Sequence, residues 1–216
     1  LEVQAIQDVT IMAMTSLAET RDNETGNHIR RTQLYVKALA ERLRNHPRFE
    51  AVLNERMIEL LYKSAPLHDI GKIGIPDSIL LKPGKLTVEE FEVMKTHTTL
   101  GRKAIEDAER RLGMRVAFLS VSKEIAYSHQ EKWDGSGYPQ GLAGDQIPVS
   151  ARLMAVADVY DALINKRVYK AAFSHDQACS TIVKGKGTHF DPDMVDAFVD
   201  IAEDFRSIAL KYPDPE

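Results

Sequence analysis

The sequence predicts an all-α fold, a bundle of roughly seven to nine helices, because apolar residues recur in steps of three and four along most of the chain. Few segments show the period-two alternation of a half-buried strand. Helix-start signals recur as well: Thr87 with Glu90 and Ser174 with Gln177 have capping-box spacing, while Pro148 and Pro192 suit first turns.

Taken in order, residues 1–20 carry Val3, Ile6, Thr10, Ala13 and Leu17 as a heptad-like stripe. Such a stripe serves either the end of a coiled-coil linker or a core-facing helix. A polar patch at 19–26 interrupts it. A second helix is expected from about Asn27 to Asn45, stopping before Pro47, and a third from about Glu50 to Leu67. Glycines and prolines from Gly71 to Gly84 then mark a long irregular connection, of a length that is often functional. The Thr87 cap launches a helix through Met94, His97, Gly101 and Ile105, and another runs from about Met114 to Ser128. Residues 130–147 hold four glycines and the single tryptophan, Trp133, and read as a structured surface loop. A helix from Pro148 through Leu163, one after Ser174, and a closing helix from Pro192 with Val195, Phe198, Val199, Ala202 and Phe205 on its apolar stripe complete the chain.

Composition excludes several classes. A net charge of −4 gives no basic face for a DNA or RNA polymer. No run reaches the roughly eighteen apolar residues of a membrane helix. Cys179 is alone, so neither a disulfide framework nor a thiolate metal site is expected, and a reducing, cytoplasmic setting fits. The chain opens on Leu1 and enters a helical pattern at once, as expected of a C-terminal part of a larger protein.

His68-Asp69-Ile70-Gly71-Lys72 is the stretch that carries chemistry. Neighbouring residues cannot share one helical face, so His68 and Asp69 converge on one ion only where a helix ends. His28, His97 and His129 also sit where apolar helices meet polar junctions, whereas His46, His175 and His189 lie at turns and caps and suit solvated or capping roles. Glu24 stands one helical turn before His28. Asp158 stands inside an apolar run, where a carboxylate needs a cationic partner, with Asp161 on nearly the same face. Four imidazoles with about three carboxylates suit a site for two or three ions of iron, manganese, nickel or zinc.

Over almost its whole length the chain resembles the HD-GYP phosphodiesterases of the HD superfamily. The resemblance rests on Glu24-x-x-x-His28, the run His68 to Asp77, Lys82 to Thr87, His97 with Gly101, Trp133-Asp134-Gly135-Ser136-Gly137-Tyr138-Pro139, Ala157 to Leu163, and Arg167-x-Tyr169-Lys170. It implies an HD-type helical bundle over residues 21–216, with 1–20 as the end of a linker from a regulatory domain, and a homodimer. It implies hydrolysis of cyclic di-GMP to pGpG and, as in some members of the family, onward to GMP. Glu24, His28, His68, Asp69, His97, His129 and Asp158 would be metal ligands, with Asp69 bridging ions and catalytic together with Lys72. Tyr138, Arg167 and Lys170 would hold substrate, and the loop bearing Tyr138 would dock a GGDEF-domain partner. The family usually has two consecutive histidines where this chain has His129-Gln130, so two divalent transition-metal ions are expected and a third is disfavoured. Gln130 also keeps open a different class, a module that senses cyclic di-GMP or binds a GGDEF domain with little catalysis.

Overall fold

The computed structural model describes residues 2–19, 21, 26–165 and 172–214. Among them are ten α-helices and no sheet. Two short pieces account for the excess over the expected number. Asp77–Leu80 is a single turn inside the long connection, and the closing helix breaks at Ile201.

In chain order the helices are α1 Glu2–Glu19, α2 Gly26–Leu43, α3 Glu55–Ser64, α4 Asp77–Leu80, α5 Val88–Leu112, α6 Ala117–Ser128, α7 Val149–Ile164, α8 His175–Lys184, α9 Pro192–Asp200 and α10 Ala202–Lys211. α3 starts later than the apolar pattern suggests. The Asn54 side chain accepts the Met57 N–H and caps it there, while the preceding turns bury Phe49 and Leu53. Both capping boxes form, and the left-handed Gly113 ends α5.

α7 is the centre of the bundle, with eleven of its sixteen residues buried. It packs against α2, α6, α8 and α9. Each fully buried Leu, Val or Met side chain there contributes about 1.5–3 kcal/mol. At the end formed by α9 and α10, Tyr35, Tyr160, Phe198 and Phe205 form an aromatic cluster. Val199, expected on the apolar stripe, is instead 51% exposed, because the helix turns that face to solvent. The heptad positions Ile6, Thr10, Ala13 and Leu17 of α1 are also exposed, and among the described side chains of α1 Thr15 is the buried one.

Pro66 ends α3. It has no N–H for the Tyr62 carbonyl, which accepts a hydrogen bond from the Gln33 side chain at 3.0 Å instead. The chain tightens into a 3₁₀ turn, Ala65–Leu67, and a second one, Ile70–Gly74, follows. Asp69 sits in the step between them.

The 130–147 loop is structured, as its glycines and Trp133 suggest. Its backbone joins residues 188–189 through Trp133 N–H to His189 O and Asp134 N–H to Thr188 O. The buried Glu131 carboxylate accepts the N–H groups of Gln140 at 2.7 Å and Leu142 at 3.0 Å. Arg48 lies over Trp133 and pairs with Asp145, Asp191 and Asp193. No described helix is long and apolar enough to cross a membrane.

Candidate metal centre

Five elements deliver the donors. His28 comes from the first turns of α2, His68 from the end of the first 3₁₀ turn, His97 from α5, His129 from the C-terminal cap of α6, and Asp158 from α7. The four imidazoles are all buried. Gly71 makes the close approach possible. A Cβ there would stand 1.9 Å from the His97 carbonyl oxygen and 2.5 Å from the Gly101 nitrogen, so only glycine lets the Asp69 segment lie on α5.

The donors fall into two groups, His28 with His68 and Asp158, and Asp69 with His97 and His129. In the first, the Nε2 atoms of His28 and His68 are 3.4 Å apart and stand 3.9 and 4.0 Å from Asp158 Oδ1. In the second, the Nε2 atoms of His97 and His129 are 3.5 Å apart and stand 3.3 and 3.4 Å from Asp69 Oδ1. Asp69 Oδ2 turns the other way, 3.3 Å from His68 Nε2, so this carboxylate lies between the groups. Donors about 2.0–2.1 Å from a shared ion stand roughly 3.0–3.4 Å from one another; the second group and the His28–His68 pair come close to this, while Asp158 Oδ1 stands farther out, at 3.9 and 4.0 Å.

The hydrogen bonding decides which nitrogens are available. Each Nδ1 faces an acceptor: Asp161 Oδ2 at 2.9 Å for His28, Ala65 O at 2.9 Å for His68, Met94 O at 2.8 Å for His97 and Ile125 O at 3.0 Å for His129. In a neutral ring the proton therefore sits on Nδ1, leaving Nε2 a bare lone pair. Four such lone pairs converge in two facing pairs, and Asp69 Oδ1 is buried without a hydrogen-bond partner. Facing acceptors repel each other, and a shared cation removes that repulsion. The described residues thus form a His/Asp cluster compatible with divalent metal.

Electrostatics agree with the geometry. Burial pushes His97 down to about 4, only partly opposed by Asp69, so this ring is neutral at ordinary pH. Burial would lower His68 too, but the charges of Asp69 and Asp158 outweigh it and raise this ring above the ordinary imidazole value. Burial alone would raise Asp69, but Lys72 and His68 hold it well below the usual carboxylate range. Lys72 Nζ is 2.8 Å from Asp69 Oδ2.

Tyr138 lies beside this cluster, its ring 6.3 Å from that of His97, after a turn in which its N–H bonds the Gln130 carbonyl. Burial, with the charges of Asp69 and Asp158, pushes its phenol up, so it is a neutral donor. Glu24, Arg167 and Lys170 lie outside the described residues. The partners shown for Asp158 are the imidazoles of His28 and His68.

Sequence reasoning missed Arg31. It is buried on the core face of α2 and binds Asp161 through Nε at 2.6 Å and Nη2 at 2.9 Å, fixing the carboxylate that orients His28. The available signal was a guanidinium three residues after His28 on an apolar face, which requires a buried acid. His46 and His175 contact Phe49 and Tyr160, and His189 stacks on Phe190, within range of the Asp158 charge.

Comparison with known proteins adds four findings. The HD domain family matches residues 13–194. A cyclic di-GMP phosphodiesterase of Vibrio cholerae is 60% identical over 213 residues, covering 99% of this chain and 43% of that protein. A probable cyclic di-GMP phosphodiesterase of the same organism is 56% identical over 215 residues, covering 100% of this chain and 49% of the relative. The chain thus spans less than half the length of either. A solved structure of a cyclic GMP-AMP-specific phosphodiesterase of V. cholerae shares the fold, with a TM-score of 0.58 at 18% identity over 97% of this chain and 56% of that one.

Proposed function

The chain belongs to the HD domain family, and from that premise we propose that it is a metal-dependent phosphodiesterase that hydrolyses cyclic di-GMP to pGpG, and pGpG onward to GMP. The observation that carries this reading is the convergence of four bare Nε2 lone pairs and an unpartnered Asp69 oxygen on two adjoining points. Relatives at 60% and 56% identity named for this activity support it.

His28, His68 and Asp158 would hold one ion, and His97 and His129 a second, with Asp69 shared and Glu24 added to the set. Iron, manganese and nickel suit these mixed nitrogen and oxygen donors, and zinc suits them too. When bound, such ions supply Lewis acidity toward a phosphoryl oxygen and a water acidic enough to attack at neutral pH. The chain does the rest. Carbonyls and Asp161 lock the imidazoles in the tautomer that presents Nε2. Lys72, beside Asp69, faces the charge that develops as water oxygen bonds to phosphorus and the bond to the ribose 3′-oxygen breaks, and it gives that oxygen its proton. Tyr138, Arg167 and Lys170 would hold the dinucleotide.

The same reading makes residues 21–216 the catalytic domain and α1 the end of a linker, whose exposed heptad positions suit a homodimer. A GGDEF-domain partner would dock on the Tyr138 loop, in the cytoplasm.

Metal analysis of the purified protein, with chromatography of the products from cyclic di-GMP and from pGpG, tests the proposal. pGpG and GMP are expected with manganese, iron or nickel present, and Asp69→Ala should lose both metal and turnover. An Asp69→Ala protein that kept either would sink the assignment, and a metal-loaded wild type that formed no product would leave a sensing module.

A further inference from the structure

We propose that Phe91 and Lys95 extend the substrate site outward along α5, forming the platform on which the second base of a cyclic dinucleotide stacks. This rests on the dinucleotide reading above.

Phe91 is a large aromatic side chain that is 45% exposed, on the helix that also carries His97. Its ring stands 6.0 Å from Tyr138 at 87°, and Tyr138 stands 6.3 Å from His97 at 86°. The three rings therefore form a row from the buried donor cluster to solvent. Lys95 Nζ lies 5.7 Å from the Phe91 ring and 5.8 Å from the Tyr138 ring, so a cation spans the outer step of the row. Its companion Glu92 is 2.7 Å away.

The chemistry of the ligand explains why a second step is needed. Only one phosphodiester of the macrocycle can be attacked at a time, so the other nucleotide must lie away from the ions. A mononucleotide needs one stacking surface next to the cluster, which Tyr138 supplies. A dinucleotide has a second base and a second phosphate, and an exposed ring beside an ammonium group is complementary to both. An apolar side chain without a π face would pack against Tyr138 equally well but would not stack a purine, and this separates the proposal from simple packing.

Kinetics on cyclic di-GMP with Phe91→Leu, Phe91→Trp and the wild-type protein make the test. Phe91→Leu should raise KM about tenfold, the equivalent of ~1.4 kcal/mol, with the change in KM rather than kcat and with metal content unaltered. Phe91→Trp should restore the wild-type KM. A Leu variant that behaves as wild type would overturn the proposal and point to packing or to a protein partner on this ring. Equal losses in kcat and metal content would overturn it too, as signs of a structural role. Should the wild type yield no product, the reading of the previous subsection fails, and calorimetric titration with cyclic di-GMP decides this one: equal affinity for wild type and Phe91→Leu, or no binding by either, refutes the platform.

Discussion

Asp161 shows how one side chain serves both stability and the site. It is buried, holds His28 by Nδ1, and accepts a two-point hydrogen bond from Arg31, which reaches on to Asp214. Burial alone would raise its pKa, but Arg31 and His28 lower it below the ordinary carboxylate value. A depressed carboxylate contributes stability that is present above the unfolded-state pKa of about 3.9 and is lost as pH falls through the folded value. Asp161→Asn leaves a buried guanidinium short of one partner and should cost about 3 kcal/mol, roughly 6–12 °C of Tm. Thermal melts in chelator are expected to show this gap at pH 7 and to show it narrowing below pH ~4. A gap that widened in acid would contradict the assignment of the charge.

At the scale of the element, the Ile70–Gly74 turn matters for what it lies against. It packs on α5, and its contact is backbone to backbone at Gly71 and Gly101. Gly71→Ala would force a methyl into the His97 carbonyl, moving Asp69 away from His97 and His129. A loss of about 2–3 kcal/mol is expected, with a lower metal content measured on the same preparation. Gly74→Ala meets only the end of the Leu100 side chain, which can rotate, so it should cost much less. Equal effects from the two would show that helix propensity, not the close approach, sets the cost.

At the scale of the whole molecule, the donors join α2, α5, α6 and α7 with the segment after α3. An ion bound there acts as a cross-link between helices that apolar burial already brings together. Binding to the folded state alone stabilises by about 2.7 kcal/mol when free metal is a hundredfold above Kd. For a chain of this size that is roughly 5–10 °C in Tm. Calorimetry before and after EDTA, and after manganese is returned, should show a fall and a recovery of this order. Identical melts would mean that the facing imidazoles do not need a cation.

What the sequence by itself determined is what depends on near neighbours: the helical period, both capping boxes, the glycine-rich loop around Trp133, and the identity of the imidazoles and acids available for metal. The helical period and the caps rest on spacings of three or four residues, and the structure shows both capping boxes in place. The tertiary fold alone decided how the donors divide into two groups, which ring nitrogen each histidine presents, and that Arg31 pairs with Asp161 across 130 residues of chain. It also decided where α3 begins and that Val199 faces solvent. The physical reason is that periodicity records which face of a helix is buried but not what buries it. The partner of each face is chosen by packing, and the distances that turn scattered donors into a site exist only once that packing is complete.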